Sequence, residues 1–268
     1  MSAANNQECE GRVALVTGAS RGIGASIAER LAEAGAAVAV CARTLDPDPK
    51  YEGSLSETVE RIRAAGGTTV AVQADISKSE DRQRMVAETV EQLGPIDILV
   101  NNAAVTFFLP FDTFPEKRYQ LMFEVQVRAP FELAQLVVPG MRERKRGWIL
   151  NITSRAGVHP QGPPFEEVYK RGFSVYGMVK AALDKFTTGL APEVFDDGIA
   201  VNSLAPWDNV VTPGAGAHDL VEGYKIEGPE LMAEAALALC TGDPAKLTGR
   251  VAYSQPLLAE LQRRPPIR

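Results

Sequence analysis

Tyr176 and Lys180, within SVYGMVKAAL, stand four residues apart, so on a helix their side chains lie one turn from each other on the same face. A phenol with its ordinary pKa near 10 exchanges protons reluctantly at neutral pH, and a neighbouring ammonium favours the phenolate and brings an acid–base step within range. Ser154 ends the apolar run GWILNITS, which places a hydroxyl at the carboxyl edge of a sheet, where it could hold a substrate oxygen. Serine, tyrosine and lysine together can move a proton to or from a carbonyl or alcohol oxygen. The nearness of Ser154 to the pair rests on topology, and the pair by itself is also one turn of an ordinary helix.

A second chemical signal lies where the first apolar strand turns into the first helix. Gly18, Ala19, Ser20, Arg21, Gly22, Ile23 and Gly24 follow Thr17, with the glycines spaced Gly-x-x-x-Gly-x-Gly. Glycines there permit a tight turn and a close approach of backbone amides to a pyrophosphate at a helix start. The spacing departs from the usual dinucleotide fingerprint and lacks the Lys-Ser/Thr ending of a triphosphate loop; a turn with no ligand would also explain it. The second strand ends in Cys41-Ala42-Arg43-Thr44, where an acid for ribose hydroxyls is commonly found. Arg43, with Arg21, can pair with a 2′-phosphate, which favours NADP(H) over NAD(H); two solvated surface arginines are the alternative. Asp75, ending the third strand, is placed to accept from an adenine ring or to cap the next helix, a role for which Ser77 competes. Asn101 and Asn102 end the fourth strand and either reach the cofactor ribose or satisfy loop backbone.

The elements that must position these residues alternate regularly. Strand patterns at 13–16, 37–41, TVAVQAD, IDILVNNAA, GWILNITS and IAVNSLAP are separated by helical patterns at about 23–34, 55–65, 80–93, 116–144 and 176–194. Such alternation calls for an α/β fold with a parallel sheet covered on both faces, and one domain over 1–268. Residues 1–10 read as a flexible N-terminus, and 46–54, 158–173 and 207–228 as variable loops above the strand ends, walling the pocket. A formal charge of −6 without a basic block argues against nucleic acid. Cys9, Cys41 and Cys240 match neither a disulfide framework nor a metal spacing, His159 and His218 form no convincing site, and no metal is expected. No signal-peptide core or apolar run of spanning length is present, so the expected location is cytoplasmic, without a membrane span.

TGASRGIG at 17–24, the Asp75 strand end, NNAA at 101–104, NITS at 151–154, YGMVK at 176–180 and NSLAP at 202–206 occur in this order, and together they resemble the short-chain dehydrogenase/reductase family in its single-domain form. The resemblance runs from about Gly11 to Gly249, and the insertion after the second strand is similar to that of citronellol/citronellal dehydrogenase-like members. It implies a Rossmann-like doubly wound parallel sheet of about seven strands, with Tyr176 as acid/base, Lys180 lowering its pKa and binding the nicotinamide ribose, and Ser154 orienting the substrate oxygen. It also implies cofactor contacts from Ile76, Asn102, Ala103 and Ala104, and from Pro206, Trp207, Val210 and Thr212 after the sixth strand. Long helices near 116–144 and 176–194 would pack between subunits of a homotetramer or dimer.

Departures from the family pattern are informative. Gln126 stands where an asparagine supports a proton-relay water through a helix kink; its extra methylene displaces that water, impairs the relay or leaves it rebuilt. NNAG becomes NNAA at Ala104, and Pro206 is followed by Trp207, whose indole lines the pocket or packs on the loop. Ser154 and Tyr176 are 22 residues apart, longer than in ordinary members, with Phe165, Tyr169 and Phe173 in the extra loop, which forms a substrate lid or an oligomer contact. Beyond Val251–Tyr253, residues 254–268 form an atypical tail in which LLAEL reads as a short helix. The expected activity is hydride transfer between NADP(H) and a small to medium, mainly apolar carbonyl or alcohol. A catalytically weak cofactor-binding sensor or structural subunit, or a dehydratase or epimerase on the same fold, is the alternative.

Overall fold

The computed structural model describes residues 7–49, 52–210 and 225–266. Seven strands form one sheet: β1 (Val13–Thr17), β2 (Ala37–Ala42), β3 (Thr68–Gln73), β4 (Ile98–Asn101), β5 (Gly147–Ile152), β6 (Ile199–Ala205) and β7 (Val251–Tyr253). Their spatial order is β3-β2-β1-β4-β5-β6-β7, and every pairing is parallel. The order reverses between β1 and β4, and in open sheets of this kind ligands bind at that switch, beyond the carboxyl ends of the strands.

The strands are apolar on both faces because both are covered. Ala14, Val16, Val38, Val40, Ile98, Val100 and Leu150 point to a layer made by α1 (Gly22–Glu33), α2 (Leu55–Ala64), α7 (Pro229–Thr241) and α8 (Ser254–Glu260). Their chain neighbours Val13, Leu15, Ala39, Leu99 and Ile149 face α3 (Ser79–Leu93), α5 (Ala129–Glu143) and the end of α6 (Ser174–Glu193). Leu15, Ile27, Leu31, Ile98 and Leu99 are fully buried, and each such side chain contributes on the order of 1.5–3 kcal/mol by leaving water.

The helical pattern read over 116–144 resolves into three pieces. After α4 (Glu116–Phe123), residues Glu124–Arg128 make one π turn, closed by the Ala129 amide on the Glu124 carbonyl, before α5 resumes. Such π turns are frequent at functional sites. Residues 254–260 form the tail helix expected from LLAEL, with Leu257 and Leu258 buried against α7. Among the described residues no helix is long and apolar enough to cross a membrane.

Candidate active site

β5 ends at Ile152, and the chain leaves the sheet through Thr153 and Ser154 into a single 3-10 turn, Arg155–Gly157. The Ser154 hydroxyl oxygen accepts the Ala156 amide at 3.2 Å, which fixes its direction, and it is also hydrogen-bonded to Tyr176. Helix α6 brings Tyr176 and Lys180 beneath this turn; Gly177 is needed there, because a Cβ would meet the Ala156 carbonyl at 2.6 Å. Lys180, buried, donates from Nζ to the Ile152 carbonyl at 2.9 Å, and its ammonium lies 5.7 Å from the centre of the Tyr176 ring. The three candidate residues therefore converge at the carboxyl end of β5.

Their electrostatics differ from the sequence expectation in one respect. Burial pushes the Tyr176 phenol above its ordinary value, and the Ser154 hydrogen bond offsets part of that. Lys180 Nζ lies over the Tyr176 ring and is bonded to the Ile152 carbonyl. Burial takes Lys180 itself down to about 8, against the opposing pull of the Asp184 carboxylate one turn further along α6. Asp184 accepts from Ser203 Oγ at 2.9 Å and has Thr153 beside it; its own pKa is raised by burial.

Gln126 sits in the π turn, buried, and donates from Nε2 to the Val105 carbonyl at 2.7 Å, while its Oε1 has no partner. The turn is anchored from behind by the buried Arg82, which donates to Glu124, to Glu132 and to the Ile76 carbonyl. Phe108 packs edge-on against Tyr176 at 5.3 Å and Phe173 at 6.3 Å between ring centres. The chain after Ser154 thus returns Phe173 to the site, whereas Phe165 is exposed and Tyr169 lies in a separate 3-10 turn at Glu167–Lys170.

The glycine turn has the shape that an anion needs. α1 begins at Gly22 with no side-chain cap and no acid in its first turn, which leaves its first amides for a ligand. A Cβ on Gly18, at φ +67°, would lie 2.7 Å from Ala103, and one on Gly24 would lie 2.3 Å from Asn102 Nδ2. These two glycines admit the β4 loop close to the turn; Ser20 is buried and Ile23 packs against the core. The turn and the first amides of α1 thus fit a pyrophosphate.

Several residues are bound within the protein. Asn102 donates from Nδ2 to the Thr17 and Gly18 carbonyls, the loop-satisfying alternative, and Asn101 donates to Asn151. Asp75 accepts from the Ser77 amide and hydroxyl, and the residue before α3 is Lys78, without a side-chain cap. Arg21 donates to the Glu52 carbonyl at 2.8 Å. Arg43 is exposed in a polar hollow of about 400 Å³ with Thr44, Asp46, Asp48 and Gln73. Ile76 and Val210 are buried in the core, Ala104 is exposed and Trp207 half-exposed, whereas Thr212 lies outside the described residues.

Two residues escaped the sequence reading. Asp184 continues the four-residue spacing of Tyr176 and Lys180, a signal available from the sequence alone. Arg155 follows Ser154 directly, and its guanidinium lies 4.9 Å over the Trp207 ring while Nη1 donates to the Trp207 carbonyl at 3.2 Å.

Residues 12–215 match the family model described as short chain dehydrogenase. The hydroxysteroid dehydrogenase-like protein 2 of Danio rerio is 31% identical over 258 residues, 95% of this chain; the chain spans 59% of that relative's length. A metagenomic short-chain oxidoreductase solved in complex with NADP is 30% identical with a TM-score of 0.73, over 91% of this chain and 97% of that one. A 7α-hydroxysteroid dehydrogenase complexed with NADH and 7-oxo glycochenodeoxycholic acid is 29% identical with a TM-score of 0.81, over 94% of this chain and 96% of its own.

Proposed function

The chain belongs to the short-chain dehydrogenase family, and on that premise we propose that it is an NADP(H)-dependent oxidoreductase interconverting a carbonyl and an alcohol on a small to medium, mainly apolar substrate. The observation that carries the reading is the hydrogen-bonded Ser154–Tyr176 pair with Lys180 against the same ring, at the carboxyl end of the sheet. Bound nicotinamide supplies the hydride. Gly18–Gly24 would hold the pyrophosphate, with Ala103 and Ala104 beside that turn, and Arg43, in the polar hollow, would bind a 2′-phosphate. A solved relative with NADP supports that choice, and one with NADH marks the alternative.

In the reducing direction Ser154 donates to the substrate oxygen and Tyr176 Oη delivers its proton there. Burial raises the Tyr176 pKa and so makes the phenol a weaker acid, which leaves delivery of its proton dependent on the cation of Lys180. Lys180 stabilises the phenolate left behind, and Gln126, in the π turn beside Val105, holds the place of the relay residue. Phe108 and Phe173 exclude water from the Tyr176 side and give the site its apolar character. The protein works in the cytoplasm as a homo-oligomer built through α4, α5 and α6.

A second reading, a cofactor-binding sensor with weak catalysis, draws on the Gln126 amide being committed to the Val105 carbonyl. Titration with NADPH and NADH by nicotinamide fluorescence, followed by apolar aldehydes and ketones, separates the two. The oxidoreductase binds NADPH more tightly and consumes it with the carbonyl, and Tyr176→Phe lowers kcat by about 10²–10⁴-fold while NADPH still binds. Undiminished turnover in Tyr176→Phe would overturn the assigned role, and tight binding without turnover would favour the sensor.

A further inference from the structure

Beyond the reacting groups, the carboxyl ends of β5, β6 and β7 carry Arg155, Trp207 and Tyr253 side by side. The Trp207 indole meets Tyr253 edge-on at 5.8 Å, and the Arg155 guanidinium covers the indole. Trp207 is held at both backbone atoms: its carbonyl accepts from Arg155, and its amide donates to Ser254 Oγ, which in turn donates to the buried Glu227 at 2.6 Å. Arg155 is therefore an exposed cation with a fixed seat next in chain to Ser154.

No carboxylate among the described residues lies within ion-pairing distance of Arg155, although 17 such contacts occur elsewhere. A guanidinium has five N–H donors, and among the described residues a single one is committed, to the Trp207 carbonyl. Phe108 and Phe173 pack on Tyr176, the partner of the serine that directly precedes Arg155. Aromatic rings thus lie against Tyr176, and a positioned cation follows Ser154 in the chain.

We propose that the substrate bears a carboxylate a few carbons from its reacting carbonyl or alcohol, and that Arg155, seated on Trp207, binds it. The inference rests on the oxidoreductase reading of the same site. A cofactor phosphate is a poorer occupant, because the α1 turn follows β1, two strands from β5, and strands about 4.8 Å apart put it on the order of 10 Å away. A dianionic phosphate group on the substrate would call for more than one guanidinium, whereas a carboxylate is satisfied by two parallel bonds from one.

The test uses the full chain with NADPH and pairs of oxo acids, from levulinate upward, with their methyl esters. For at least one chain length the acid exceeds its ester in kcat/KM by about tenfold or more, chiefly through KM, as expected for a charge-assisted hydrogen bond. Arg155→Met brings that ratio close to one, and Arg155→Lys, a point charge without the fork, falls between. A wild-type ratio near one across the series overturns the proposal, as does an Arg155→Met variant that keeps the ratio and instead weakens NADPH binding. If NADPH binds but neither acids nor esters turn over, the oxidoreductase reading fails, and the anion site is judged by decanoate quenching of Trp207 emission. Quenching that Arg155→Met abolishes supports the site; absence of quenching in the wild type overturns it.

Discussion

Lys180 stands between two opposing influences. Burial draws its pKa down to about 8, and the Asp184 carboxylate one turn along α6 pulls it back up. Asp184 is faced by Ser203 from β6 and Thr153 from the end of β5, with Tyr253 of β7 near, while Tyr176 and the Ile152 carbonyl face Lys180. Removing the acid's charge removes the influence that raises Lys180, so the ammonium gives up its proton at lower pH. Asp184→Asn is expected to move the alkaline limb of kcat against pH toward neutral, and Asp184→Glu to keep it near the wild-type position. A limb unmoved in Asp184→Asn would leave Asp184 a purely structural hydrogen-bond acceptor. The placing of Tyr176 and Lys180 on one helix face was legible from spacing, and that of Ser154 at the sheet edge from a strand ending. The direction of the Tyr176 shift was not, because burial, its largest cause, comes from the packed site and not from local sequence.

At the scale of elements, the π turn and the tail are the two departures that sequence pattern reads least well. A 3.6-residue periodicity runs through 116–144 almost unchanged by one extra residue, so the pattern reports a continuous helix while the hydrogen bonds shift at Glu124–Arg128. Gln126 ties that turn to the β4 loop through Val105. Gln126→Leu leaves the Val105 carbonyl without its donor and is expected to lower stability by about 1–3 kcal/mol in urea unfolding; an unchanged midpoint would contradict that tie. The tail helix is closed onto the body by charge. Arg263 donates to Glu8 and to Glu234, and buried Glu234 also receives Arg30 of α1. Glu234→Ala strands Arg30 in the core, and a loss of about 3–5 kcal/mol is expected. A loss below about 1 kcal/mol would mean that water or relaxation satisfies the arginines. Composition announced the helix in LLAEL; its seat on α7 required pairings far apart in sequence, which no local pattern carries.

For the molecule as a whole, alternation of strands and helices was sufficient to read the doubly wound sheet, because parallel strands buried on both faces leave continuous apolar runs between amphipathic helices. Whether copies assemble, and through which face, is not written in that alternation. On α5 and α6, Phe131 and Met178 are each 45% exposed, and Phe131 with Tyr119, Phe123, Val127 and Phe186 lines an apolar hollow of about 660 Å³. If these helices pack between subunits, Phe131→Glu shifts the species seen by light scattering toward the monomer; an unchanged mass places the contact elsewhere.

The central claim is that hydride passes between nicotinamide and a substrate carbon with Tyr176 handling the oxygen's proton. NADPH deuterated at C4 on the transferred face, incubated with the wild-type chain and a panel of carbonyl compounds with mass analysis of the products, tests it most directly. One deuterium at the new carbinol carbon, matched by an equal loss of NADPH and absent with Tyr176→Phe, is the predicted result. Product without deuterium, or formed without loss of NADPH, would contradict hydride transfer and point to dehydratase or epimerase chemistry on this fold.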